Sequence, residues 1–188
     1  MDNFKNVISG IVNFSPSELN KFTSVFSEKT LKKGDYFAVE GEYSSKFAFI
    51  NEGVMRAFFR NHDGQEYNKT FFIKDNFVGA YSSLITGNQN SINIECLTDC
   101  TIITADYSSI IKLYDTHSKV ERLSRILAEQ YFVIKEKREI ELVMLDAKGR
   151  YQIFQENHPN LEQLIPQYHI ASYLGVSPTQ LSRIRAQK

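Results

Sequence analysis

The segment from Pro166 to the end of the chain carries the side chains whose chemistry is easiest to name. Thr179, Gln180 and Arg183 can meet base edges, since Arg forks onto guanine, Gln pairs with adenine and Thr offers a methyl to thymine. Arg185 and Lys188 suit phosphate oxygens, and Gln167 and Ser177 complete the candidate set. Cations near a helix C-terminus are also favoured for structural reasons alone. From Gln163 onward there is no Asp or Glu, so this segment is locally cationic. The whole chain is not: its 22 Lys and Arg balance 22 Asp and Glu, and any attraction to a polyanion must be confined to one patch.

Side chains of this kind work only if something presents them. Ile170, Leu174, Val176, Leu181 and Ile184 are spaced so that two short helices can bury a shared seam, with small Ala171 at their closest approach. Gly175 falls where the chain must turn, a position that often needs a left-handed backbone. Ser177 can cap the second helix and Pro178 suits its first turn. The pattern is that of a helix-turn-helix whose second helix is free to enter a major groove, with Thr179, Gln180 and Arg183 on its outer side. An ordinary packed helix pair is the alternative.

Upstream, the chain reads in blocks. Ser15-Pro16-Ser17-Glu18-Leu19 starts a helix within residues 15–30, whose apolar face continues through Phe22, Val25 and Phe26. Residues 34–106 hold short runs rich in aromatic and β-branched residues (36–39, 47–50, 54–59, 68–73, 92–96 and 101–104), separated by turn signals such as Gly34-Asp35, Asn51-Glu52-Gly53 and Asp63-Gly64. Many short strands with regular turns argue for an antiparallel sandwich or roll. From His117 to Leu145 there is neither Gly nor Pro, and Val120, Leu123, Leu127, Tyr131, Ile134, Leu142 and Leu145 recur at helical spacing. A helix of that length spans roughly 40 Å, more than a small roll needs to cover itself, so part of its stripe is expected to meet a second copy. Lys137, Arg138 and Glu141 interrupt that stripe.

The predicted fold class is therefore α+β: an N-terminal antiparallel, jelly-roll-like β-roll over 1–115, a long dimerisation helix over 116–145, and a helix-turn-helix over 146–188. No apolar stretch is long enough to span a membrane, and Met1-Asp2-Asn3-Phe4-Lys5 is no secretory signal, which points to the cytoplasm. Cys96 and Cys100, if both lie on one strand, stand about 13 Å apart, too far for a disulfide. Buried free thiols are the expected state.

The order of β-roll, long helix and terminal helix-turn-helix resembles the Crp–Fnr superfamily of transcription regulators. The likeness covers nearly the whole chain and rests on Leu31-Lys32-Lys33-Gly34-Asp35 entering the roll, Ile50-Asn51-Glu52-Gly53 at a hairpin, Phe77-Val78-Gly79 opening the pocket segment, and the terminal motif. It implies a cyclic-nucleotide-binding-like sensor domain, a homodimer joined along the long helix, and two recognition helices in successive major grooves of a palindromic duplex, about 34 Å apart. RNA polymerase is a further partner that the resemblance implies, although no residue pattern here marks its contact.

The presumed ligand pocket, Gly79, Ala80, Tyr81, Ser82, Ser83, Asn90 and Ser91, departs from cyclic-nucleotide-binding relatives. Ala80 stands where the resemblance places a Glu for the ribose hydroxyl, and Asn90 where it places an Arg for the cyclic phosphate. Asn cannot supply the charge-assisted fork of an Arg, and no Lys or Arg occurs from Asp75 through Ile111. A cation would have to come from Arg56, Arg122 or Arg125. Cyclic AMP is thus not expected as the effector. The pocket either serves another small molecule or is filled by Tyr81 and its neighbours. No cofactor is expected: two cysteines are too few for an iron–sulfur cluster, and His62 and His117 are poorly placed for haem. A cupin-like enzyme would need two or three His with a carboxylate on adjacent strands, and the strand region has only His62. A ligand-binding module without DNA activity is the remaining alternative.

Overall fold

The first elements follow from local signals. Helix α1 (Asp2–Ile11) buries Phe4 and Ile8 one turn apart, and was not marked by any cap in the sequence. Helix α2 (Pro16–Thr23) begins with a complete capping box: Ser15 Oγ accepts from the Glu18 N–H, and Glu18 reaches back to the Ser15 N–H at 2.8 Å. It stops at Thr23 rather than running toward residue 30. The Phe26 N–H turns back to the Thr23 carbonyl, and Ser27–Leu31 leaves as strand β1, because β8 offers it a ladder from Ser27↔Thr104 to Leu31↔Cys100. Four of the five β1 residues are exposed, so no apolar alternation announced the strand.

The roll continues with β2 (Tyr36–Ala38), β3 (Lys46–Glu52), β4 (Met55–Arg60), β5 (Glu66–Phe72), β6 (Phe77–Val78), helix α3 (Tyr81–Thr86), β7 (Asn93–Cys96) and β8 (Cys100–Asp106). Two four-stranded sheets result, ordered β1-β8-β3-β6 and β2-β7-β4-β5, and the registered pairs among them are antiparallel. Between the sheets lie Ala48, Ile50, Met55, Ala57, Val78, Ile94, Cys96, Cys100 and Ile102. A second cluster joins α1 and α2 to Phe49, Phe77, Ile103 and the start of the long helix, with Phe4 against Phe26 at 4.8 Å between ring centres.

Cys96 and Cys100 depart from the expectation of two well-separated thiols on one strand. Cys96 closes β7 and Cys100 opens β8, so both enter the inter-sheet core, where Cys100 Sγ donates toward the Thr98 carbonyl at 3.4 Å. The neighbouring Cys100, and then burial, push the Cys96 thiol up. Both are free and buried, as expected.

After α4 (Tyr107–Ile111) comes α5 (Ser118–Met144), 27 residues without a break. It is followed by α6 (Ala147–Asn157), the short α7 (Leu161–Leu164), α8 (Gln167–Leu174) and α9 (Pro178–Ala186). The computed structural model describes residues 1–186, so Lys188 lies outside the described residues. The chain divides into two compact units: Met1–Ala57 with Phe71–Glu129, and Phe58–Thr70 with Gln130 onward. The division cuts α5 near its middle and assigns the tip of the β4–β5 hairpin to the helical unit. Among the described residues no helix is long and apolar enough to cross a membrane.

Candidate nucleic-acid interface and ligand pocket

Helices α8 and α9 form the expected pair. Ile170, Leu174 and Leu181 are buried in their seam, with Val176 and Ile184 half-buried at its margin. Gly175 adopts φ 69°, and its N–H and that of Val176 close back on Ala171 and Ser172 to end α8. Ser177 then caps α9 as a reciprocal box: the Ser177 N–H donates to Gln180 Oε1 at 2.9 Å, and the Gln180 N–H donates to Ser177 Oγ at 3.2 Å.

The outward face is the predicted one. Ser177, Thr179, Gln180, Arg183 and Arg185 are exposed. Three of them already have partners. Ser177 and Gln180 hold each other in the capping box, and Arg185 Nε lies 3.6 Å from Glu162 Oε1, an acidic partner just upstream of the carboxylate-free segment. Gln167 is half-buried and donates to the Glu162 carbonyl at 3.4 Å. Glu162 also accepts from Tyr151 Oη at 2.8 Å and Gln155 Nε2 at 2.9 Å, which ties α6 to α7. The structure therefore leaves Thr179 and Arg183 as the outward side chains of α9 with the fewest other duties.

Several residues that hold this face were not legible as such. Arg138 on α5 donates to the Tyr173 carbonyl, pairs with Glu141 at 3.0 Å, and lays its guanidinium 4.0 Å from the centre of the Tyr173 ring. Arg150 on α6 donates to the Leu174 carbonyl at 3.0 Å and the Leu145 carbonyl at 2.6 Å. The hairpin tip holds α8 from another side: Ser172 Oγ donates to the Glu66 carbonyl and accepts from the Asn68 N–H, both at 2.9 Å, and Asn68 Nδ2 donates to the His169 carbonyl at 2.9 Å. His158 caps α6 and packs its ring on Phe154; burial, reinforced by the Arg138 charge, lowers it to about 4. Between α6 and α8 the chain forms only the short helix α7.

The pocket residues of the roll separate into two groups. Ala80, Ser83 and Asn90 are buried, Gly79 is half-buried, and Tyr81, Ser82 and Ser91 are exposed. Tyr81 is 42 % exposed with its edge toward Tyr107, so it does not fill the interior, contrary to one of the two expectations. Ser83 accepts from the Ser44 N–H at 3.3 Å and donates to the Asn88 carbonyl. Asn90 donates Nδ2 to the Val39 carbonyl at 2.9 Å, while its Oδ1 is buried with no hydrogen-bond donor. An acceptor turned inward is the wrong polarity for a phosphate. The three possible cations do not supply the missing charge freely. Arg56 is buried against Glu95, 2.6 Å away, and Arg125 is exposed and paired with Glu129 at 2.6 Å; Arg122 is exposed.

Comparison with known proteins agrees with this architecture. Residues 28–117 match the cyclic nucleotide-binding domain family. None of the curated proteins matches the sequence significantly. Among solved structures, the chain is similar to FixK2 from Bradyrhizobium japonicum, with 18% identity, a TM-score of 0.75, and 87% of this chain and 84% of that one covered. It is similar to the c-di-GMP responsive global regulator CLP from Xanthomonas campestris at 14% identity and TM-score 0.72, covering 92% and 91%. A putative Crp/Fnr family transcriptional regulator from Eubacterium rectale gives 14% identity and TM-score 0.75, covering 97% and 87%. The chain thus has a cyclic nucleotide-binding-type domain within the Crp/Fnr-type fold.

Proposed function

We propose that this chain is a cytoplasmic, DNA-binding transcription regulator of the Crp–Fnr type that acts as a homodimer on a palindromic duplex. One observation carries the reading: α9 buries Leu181 in its seam while Thr179 and Arg183 point to solvent, in a stretch with no carboxylate from Gln163 onward. Arg183 reads a base edge, Thr179 and Gln180 lie beside it, and Ser177, Gln167, Arg185 and Lys188 serve the backbone. Domains 1–115, 116–145 and 146–188 sense, dimerise and bind.

The far half of α5 supports the dimer. Phe132, Val133, Ile134, Ile140, Val143 and Met144 are between 47% and 82% exposed, an apolar surface that a monomer would leave in water. The effector is a small molecule other than cyclic AMP, because Ala80 and Asn90 offer neither the anion nor the cation such a ligand needs. Isothermal titration is expected to show no cyclic AMP binding at micromolar concentration, and tight binding there would overturn that part.

The experiment for the whole reading is selection of genomic fragments by the full-length protein, followed by affinity measurement against salt. A recovered palindrome with half-sites about one helical turn apart and a steep salt dependence is expected. Arg183→Ala should relax preference at one position per half-site by about 1–3 kcal/mol. Retention of no fragment above background would refute DNA binding.

A further inference from the structure

The C-terminus of α8 ends on carbonyls that no intrahelical N–H can reach. The Gly175 and Val176 amides take the Ala171 and Ser172 oxygens, which leaves those of Tyr173 and Leu174. Each is taken by an arginine from another helix: Tyr173 by Arg138 of α5, and Leu174 by Arg150 of α6. The same two side chains bind the far end of α5. Arg138 pairs with Glu141, whose carbonyl accepts the Leu145 N–H, and Arg150 donates to the Leu145 carbonyl itself. Two guanidiniums therefore join the C-terminus of the long helix to the C-terminus of α8, immediately before the Gly175 turn into α9. Positive charge from both arginines is favourable at the negative end of the α8 dipole, and Arg150 places the same charge at the end of α5.

The Tyr173 ring is the other half of the joint. It stacks under the Arg138 guanidinium at 4.0 Å and has Phe154 and His158 at 5.7 and 6.2 Å between ring centres. Planar stacking and a fixed fork are properties of Arg that Lys does not share. Arg138 is one of the residues that interrupt the apolar stripe of α5, and its side chain is only 16% exposed.

We propose that Arg138 and Arg150 are positioning residues for the recognition helix: they clamp the α8–α9 turn to the end of the long helix, so that any rotation of that helix re-aims α9. This rests on the DNA-binding reading for its consequence, but the clamp itself can be tested without DNA. The experiment compares full-length wild type with Arg138→Lys and Arg138→Gln by amide hydrogen exchange and by affinity for fragments selected by the wild type. The expected result is at least tenfold faster exchange at Gly175, Val176 and Leu181, with the α6 amide of Phe154 changed less than threefold. Lys should not rescue. Affinity for selected fragments should fall at least tenfold while affinity for random duplex changes less than twofold.

Unchanged exchange across 175–181 in a folded variant would overturn the clamp. So would uniformly faster exchange together with parallel loss of specific and random binding, which marks a merely structural role. Should the wild type itself select no fragment, the DNA reading fails and the exchange pattern alone decides the clamp. Glu141→Gln leaves both arginines in place and is the milder variant if Arg138→Gln does not fold. It should give the same localised exchange pattern, about threefold in size, and no localised change would count against the proposal.

Discussion

His158 makes the helical unit acid-sensitive in a calculable way. Its imidazole is held neutral chiefly by burial and then by the Arg138 charge, so the folded-state pKa drops from the usual 6.5 to about 4. In the unfolded chain the ring takes its proton near 6.5. Above that pH both states are neutral and the group costs nothing. Between 6.5 and 4 the unfolded state binds the proton that the folded state refuses, so stability falls as pH falls. The full loss is about 3 kcal/mol, comparable to a large part of the stability of a small unit. The perturbation is His158→Phe, which keeps a ring against Phe154 and Tyr173 and removes the titration. Denaturant unfolding of both proteins from pH 7.5 to 4 should give a stability difference that changes by about 2–3 kcal/mol in favour of the variant as pH drops. Carboxylates titrate in both and cancel. A difference that stays flat, or a folded-state imidazole found by NMR to titrate near 6.5, would refute the reasoning.

Glu18 behaves with the opposite logic. Hydrogen bonds from Lys119 and Ser15 hold its carboxyl at about 2, so its contribution is complete above 4.5 and is lost as pH falls toward 2. The destabilisation of Glu18→Gln, read by thermal unfolding of the roll, should therefore be largest near neutrality and vanish at about pH 2. Gly53→Ala should cost on the order of 3 kcal/mol or more by denaturant unfolding, since φ is 103° and an added Cβ would lie 2.5 Å from the Asp99 carbonyl and 2.8 Å from Cys100 Cα. Arg56→Met strands the half-buried Glu95 and should cost about 3 kcal/mol, with Arg56→Met/Glu95→Leu recovering part of it; equal losses in both would sink the argument. Glu162→Gln releases Arg185 for a phosphate, so duplex binding should tighten and its salt slope steepen by about 0.9, while an unchanged slope would show that Arg185 was already engaged.

The parts of this fold that were legible in the sequence are those written in short-range patterns. The Ser15 box, the Gly175 turn, the Ser177 cap and the uninterrupted run to Leu145 each depend on neighbours within four residues, and each stands where it was expected. Strand β1 was not legible, because Ser-Glu-Lys-Thr-Leu gains its conformation from β8, some seventy residues away in sequence, and shows four polar or exposed side chains to water. The cysteine pair failed for a related reason. Spacing on one strand gives separation, whereas Cys96 ends β7 and Cys100 opens β8 of the other sheet, so both thiols enter the core between the sheets.

The long helix shows the limit most clearly, because a one-dimensional stripe does not say which neighbour each face meets. Val120, Leu123 and Leu127 pack into the roll's helical cluster, while Tyr131, Ile134 and Leu142, read as their continuation, are 37%, 60% and 48% exposed. Lys137, Arg138 and Glu141 looked like flaws in a seam. For Arg138 and Glu141 the structure gives a different account: Arg138 donates to the Tyr173 carbonyl at the end of α8, and Glu141 pairs with Arg138. Carbonyl oxygens carry no sequence identity, so an arginine destined for one cannot be told from an arginine destined for water. Phe132, Val133, Ile140, Val143 and Met144 are further exposed apolar residues of the far half of α5, and Glu136 and Lys137 stay exposed among them.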